Sequence, residues 1–168
     1  MTTTARLTII NTAWICLVIW AWIQGYVQRI MAADGAHMTL IIATVFVVGL
    51  VSAYWWARKA DVATAKDASH SWGYFKAGIL TRNTAHLYDI FAALFILGIV
   101  GNAIGFLAAF GGVDPHSMSS AEGMQKAGAQ LLSGVGTAFG STITGLTLAL
   151  WFSMNLRVLA TAIDRLRS

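Results

Sequence analysis

Carboxylates, histidines, a lone cysteine and a run of hydroxyls are the groups in this chain with chemical capacity, and their positions separate them. The acids Asp34, Asp61, Asp67, Asp89, Asp114, Glu122 and Asp164 fall in loops, at helix ends or in the tail. His37, His70, His86 and His116 are scattered over loops without metal-ligand spacing, and Cys16 stands alone in an apolar run, where a small buried side chain is its ordinary role. No Ser sits at a nucleophile elbow, and the glycines near Gly101 lie in an apolar stretch, away from any phosphate-binding turn. These absences argue against an enzyme and give no reason to expect a cofactor or a bound metal. What remains is a polar set inside apolar sequence: Asn102, Thr137, Ser141 and Thr142. An amide facing lipid is costly and calls for a partner on another helix. At 100° per residue, Thr137, Ala138, Ser141, Thr142 and Gly145 share about 140° of helix surface. Such a face can solvate a cation or slide against another helix. Equally, its hydroxyls can bond back to carbonyls of the preceding turn while the small residues only permit packing.

The elements that hold these groups follow from composition. The chain is 57% hydrophobic and 11% charged, less than half the charge of an average soluble domain. Four stretches carry no Asp, Glu, Lys or Arg: Leu7–Gln28, Ala36–Ala57, Ile90–Val113 and Ala127–Leu156. Each reaches the roughly 20 residues a helix needs to cross ~30 Å of hydrocarbon. Continuous apolar runs, without the alternation of barrel strands, predict an all-α polytopic membrane protein with four transmembrane helices. Taking the spans in order, Arg6, Arg58, Lys59, Lys66, Lys76, Arg82, Arg157, Arg165 and Arg167 fall on one side and only Arg29 and Lys126 on the other. That bias places both termini and the Arg58–Asp89 segment in the cytoplasm. It also accounts for the net charge of +4 without nucleic acid. The first span is long for a signal-peptide core and is expected to stay as an anchor.

Three regions result. Residues 1–57 hold two peripheral helices, rich in lipid-facing aliphatics and interfacial aromatics such as Trp20, Trp22, Trp55 and Trp56. Residues 58–89 form a cytoplasmic loop in which Ser69–Lys76 has the makings of a short amphipathic segment. Residues 90–168 form a core hairpin. Gly98, Asn102, Gly105 and Ala109 make one stripe on its first helix, with Gly101 beside it. Its second helix carries Gly134, Gly136, Gly140 and Gly145. Glycine costs about 1 kcal/mol against alanine inside a helix, so these positions are expected to serve close helix packing. A continuous helix from Ala127 to Ile163 is roughly 55 Å long, so its end projects into the cytoplasm. Gly111–Pro115 reads as a turn.

The segments Leu97-Gly-Ile-Val-Gly-Asn-Ala-Ile-Gly-Phe106, Gly111-Gly-Val-Asp-Pro115 and Leu132-Ser-Gly-Val-Gly-Thr-Ala-Phe-Gly-Ser-Thr-Ile-Thr-Gly-Leu146 resemble the MotA/TolQ/ExbB proton-channel family. The likeness covers about the last 75 residues; the first half resembles MotA only in topology. It implies a homopentamer in the bacterial inner membrane enclosing a dimer of a single-span MotB/TolR/ExbD-like protein whose membrane Asp carries the ion. Ion flow then drives mechanical work at the cell envelope. By position, Asn102 falls where the family has a pore-facing Thr, Thr142 matches its pore Thr with Ser141 just before it, and Thr137 stands where ExbB-like members often have Glu. The membrane prolines and large cytoplasmic domain of flagellar MotA are absent, which favours a smaller ExbB/TolQ-like energiser. The added hydroxyl and amide groups point toward Na⁺ as an alternative to H⁺. The competing reading is a structural scaffold that packs helices without conducting ions.

Overall fold

The computed structural model describes residues 2–66, 70–111, 113 and 119–166, with side chains except at 64–66 and 70–74. Six helices follow one another: α1 Thr3–Ile23, α2 Tyr26–Ala33, α3 Met38–Lys66, α4 His70–Asn83, α5 Ala85–Gly111 and α6 Ala121–Asp164. No strand occurs among the described residues. Among the described residues, four helical stretches are long and apolar enough to cross a membrane: Thr3–Ile23, Met38–Ala63, Phe75–Gly111 and Ala121–Asp164. This is the all-α, multi-pass architecture expected from composition. Apart from Gly111 and Val113, the expected turn at Gly111–Pro115 lies outside the described residues, as do Asp67, Ser69 and His116.

The boundaries differ from the sequence reading in three places, each for a local reason. The first apolar run breaks before Gln28. Gly25 takes a left-handed conformation (φ 78°), and its N–H and that of Gln24 close the last turn on Trp22 and Trp20. Glycine adopts this geometry without steric cost, so Tyr26–Ala33 departs as a separate helix. The segment after Arg58 is helical rather than looped: α3 runs on to Lys66, and α4 leads through buried Thr84 almost directly into α5. The Thr84 hydroxyl bonds the Leu80 carbonyl at 2.9 Å, which holds the junction closed. Finally, α6 begins at Ala121, where Ser120 accepts from Gly123 N–H as an N-cap. Its 44 residues make it about 66 Å long.

α6 is the central element. In its most apolar stretch 44% of residues are buried, against 11% in α1. Antiparallel α5 packs along it through small residues: Gly98 meets Gly145, Gly101 meets Ser141, Gly105 meets Ala138, and Ala109 meets Gly134. A methyl group on Gly105 would stand 2.4 Å from the Ala138 nitrogen, and one on Gly134 would stand 2.5 Å from the Ala109 backbone. Only glycine lets the backbones come this close. α3 lies parallel to α6, with Gly49 against Phe152 and Ile90, and Met38 beside Gly101. Thus α3 begins level with Ser141. The α5–α6 hairpin runs on past it, about 15 Å further in α5 alone. α2 and the turn after it flank this extension, setting Ala33 against Gly136, Ile30 against Gly140 and Gly35 against Thr137.

The opposite, basic end is tied down by charge. Asp61 accepts from the backbone N–H groups of Thr3 (2.7 Å) and Thr4 (2.9 Å) and from the Thr4 hydroxyl. A carboxylate here satisfies the free donors of the α1 N-terminus and complements its dipole. Lys59 lies over the Trp56 ring at 4.4 Å and the Trp55 ring at 5.3 Å, an arrangement suited to a membrane interface.

Candidate functional site on the hairpin of α5 and α6

The polar arc of α6 is not an open wall of hydroxyls. Its middle is the face on which α5 packs. Ser141 is fully buried beside Gly101 and donates to the Ala138 carbonyl at 3.1 Å. Thr137, at one edge of the arc, is buried against the α2–α3 turn: its hydroxyl accepts from Gly35 N–H at 3.0 Å and donates to the Ala33 carbonyl at 3.2 Å. Thr142 stands about 140° around the helix from Thr137, on the other edge, and is half-buried. Its hydroxyl lies 2.9 Å from the Ala138 carbonyl and 3.3 Å from the Gly98 carbonyl of α5.

Asn102 occupies the matching flank of α5. Gly98, Gly105 and Ala109 define the seam, and Gly101 falls on the side that meets Met38 of α3. One step of 100° carries Asn102 past the seam to the opposite side. The Gly98 carbonyl that Thr142 approaches lies one turn before Asn102 on the same helix. Asn102 is half-buried, and its Oδ1 is buried with no hydrogen-bond partner. Asn102 and Thr142 therefore share the flank of the hairpin turned away from α3, while Thr137 faces the other flank and Ser141 lies between them.

The packing glycines divide in the same way. Gly98, Gly101, Gly105 and Gly145 serve the α5–α6 seam, whereas Gly136 and Gly140 receive α2. Among the described residues, no group of three His, Cys, Asp or Glu could hold a metal ion.

Two polar clusters are absent from the sequence reading. Asn11 of α1 and Asn155 of α6 exchange side-chain hydrogen bonds, Asn11 Nδ2 to Asn155 Oδ1 at 2.8 Å and Asn155 Nδ2 to Asn11 Oδ1 at 3.2 Å. Asn11 Oδ1 also accepts from Trp151 Nε1, and Asn11 Nδ2 also donates to the Tyr54 hydroxyl at 3.2 Å. Trp14 stacks on Trp151 at 5.5 Å, covering the cluster. Asn11 and Asn155, like Asn102, are amides within uncharged spans, and that signal would have found them.

The second cluster is at Asp34. The sequence places this acid in a loop, and it does lie between α2 and α3, but the loop folds inward and leaves Asp34 only 4% exposed. One carboxylate oxygen accepts from Thr39 N–H at 2.6 Å, while Oδ1 and the Thr39 hydroxyl are buried without partners.

No family model, curated protein or solved structure matches this chain.

Proposed function

We propose that the chain is a subunit of an ion channel that turns ion-motive force into mechanical work. It would act as a homopentamer around a dimer of a single-span protein carrying a membrane Asp, with both termini of this chain in the cytoplasm of a bacterium. The observation that carries this reading is the flank of Asn102 and Thr142. It sets an orphaned buried amide oxygen on the same flank as a half-buried hydroxyl, on a seam whose hydroxyls, that of Thr142 included, are satisfied internally. A buried acceptor without a donor is costly, and a group from another chain would satisfy it. Among the described residues no acid lies on that flank, so the ion-carrying carboxylate is assigned to the partner, as ionisable groups in membranes mark ion routes. Phe110 (66% exposed), Leu107 (74%) and Leu132 (78%) on the hairpin extension offer apolar surface for neighbouring copies. H⁺ or Na⁺ would use the same flank.

The scaffold reading keeps one observation in its favour. Thr137, Ser141 and Thr142 all bond to backbone groups of their own chain. Native mass spectrometry of the complex captured from its own membrane separates the two. Five copies of this chain with two of a single-span, Asp-bearing protein are expected. A particle composed of this chain alone would sink the channel reading. With such a partner present, Asn102→Ala together with Thr142→Ala should abolish ion flux and leave assembly intact; loss of assembly instead would favour the scaffold.

A further inference from the structure

The Asp34 cluster lies on the flank that the proposed channel does not use. Asp34 and Thr39 are joined by the 2.6 Å bond from Thr39 N–H to Asp34 Oδ2. Each then presents one further oxygen, Asp34 Oδ1 and Thr39 Oγ1, that is buried and has no hydrogen-bond partner. These are two of the three buried side-chain polar atoms left without a partner among the described residues. Both sit where the apolar path of the chain is broken. α2 ends at Ala33, Asp34 leaves helical geometry (φ −85°, ψ 80°), His37 is left-handed (φ 54°), and α3 starts at Met38. The turn is pressed between helices: Gly35 N–H bonds Thr137 Oγ1, and Met38 packs beside Gly101.

The chemistry of these two oxygens favours a cation. One belongs to a carboxylate and one to a hydroxyl, both hard donors, and the Thr39 N–H bond holds the two side chains together. This is the kind of site that hard cations select and that interrupted helices supply for Na⁺ within membranes. Among the described residues, the cations near it do not meet it. Arg29 and His37 are exposed, and Lys126 is exposed about three turns along α6 from Thr137. α5 carries no basic residue near Gly101. A buried polar oxygen without a partner is costly, so something should fill the place.

We propose that Asp34 Oδ1 and Thr39 Oγ1, at the break between α2 and α3, hold one alkali cation of the size of Na⁺. The site belongs to a single chain, so it does not depend on the channel reading and can be tested without a partner. The purified protein, held in nanodiscs at constant ionic strength, would be unfolded thermally in NaCl, KCl or choline chloride, with ²²Na⁺ equilibrium binding measured alongside. A ligand that binds only the folded state raises Tm with concentration, so a saturable rise in Na⁺ over choline is expected. Asp34→Asn should weaken apparent Na⁺ affinity at least about ten-fold and Thr39→Val roughly three-fold. Gly128→Ala, whose added methyl group meets nothing within 4 Å, should leave binding unchanged. If Asp34→Asn does not fold, the Thr39→Val shift and ²²Na⁺ binding by the parent protein still decide the matter. Indifference of the parent protein to Na⁺ over choline, full retention of binding by Asp34→Asn or Thr39→Val, or a response to pH with none to alkali cations would each overturn the proposal.

Discussion

Two amide sites inside the same apolar bundle make opposite use of one residue type. At Asn11 and Asn155, three helices contribute groups until each amide has its partners: the pair bond each other, Trp151 and Tyr54 complete Asn11, and Asn155 Nδ2 also reaches the Trp151 carbonyl at 3.0 Å. At Asn102, on the flank of the α5–α6 seam, the amide oxygen is buried and unanswered. A closed polar network fixes the register of helices, because any sliding leaves a polar group unpaired. An open one does nothing for the isolated chain. The difference teaches where to look for function in a membrane bundle: at the polar group whose own fold does not complete it.

The contrast breaks most completely if the seam itself is forced apart, because Asn102 and Thr142 are then no longer held side by side. Gly105→Ala should do this. Its methyl group would sit 2.4 Å from Ala138 N and 2.7 Å from the Gly134 carbonyl, both rigid backbone atoms. A loss of about 3 kcal/mol or more is expected, in the range of overpacking that only a backbone shift can relieve. Unfolding in mixed micelles should show it, with Gly128→Ala as a control, since a Cβ there meets nothing within 4 Å. If Gly105→Ala unfolds like the parent protein, the close seam is not what fixes the hairpin.

Next in size is the closed site. Asn11→Leu should cost about 1–3 kcal/mol, because it leaves Asn155 and Trp151 Nε1 buried without their partner. The double change Asn11→Leu with Asn155→Leu should recover part of that loss, since replacing both partners by apolar groups is far less costly than orphaning one. A double mutant as unstable as the sum of the two single changes would show that these amides are not a coupled pair.

The fold was largely legible because its determinants are local. Uncharged runs of 20 or more residues announce the crossing helices, and glycines spaced for one face announce the seam. The arc of Thr137, Ser141 and Thr142 could be drawn on α6, but not what covers it. Gly98, Gly101 and Gly105 place α5 on the middle of the arc, and that is a property of two helices together. The break at Gly25 was missed because one glycine in an apolar run is compatible with a continuous helix. The burial of Asp34 was missed for a related reason. Position in a loop says an acid is outside a helix, whereas its 4% exposure comes from how that loop is folded against α5 and α6.

The smallest expected change in stability is the one that sharpens the comparison most. Asn102→Leu removes an amide whose oxygen has no partner within the chain, so the burial cost it relieves offsets the contacts it loses. A shift within about 0.5 kcal/mol of the parent protein, in either direction, is expected, as for sites that make no specific interaction. Asn11→Leu, the same chemical change at the closed site, should be several-fold more damaging in the same micelles. If the two substitutions destabilise equally, Asn102 is completed by its own chain and the distinction between a locking amide and a waiting one disappears. If Asn102→Leu is neutral to folding yet abolishes ion flux once an Asp-bearing partner is present, the open amide is separated from the closed one by function as well as by energy.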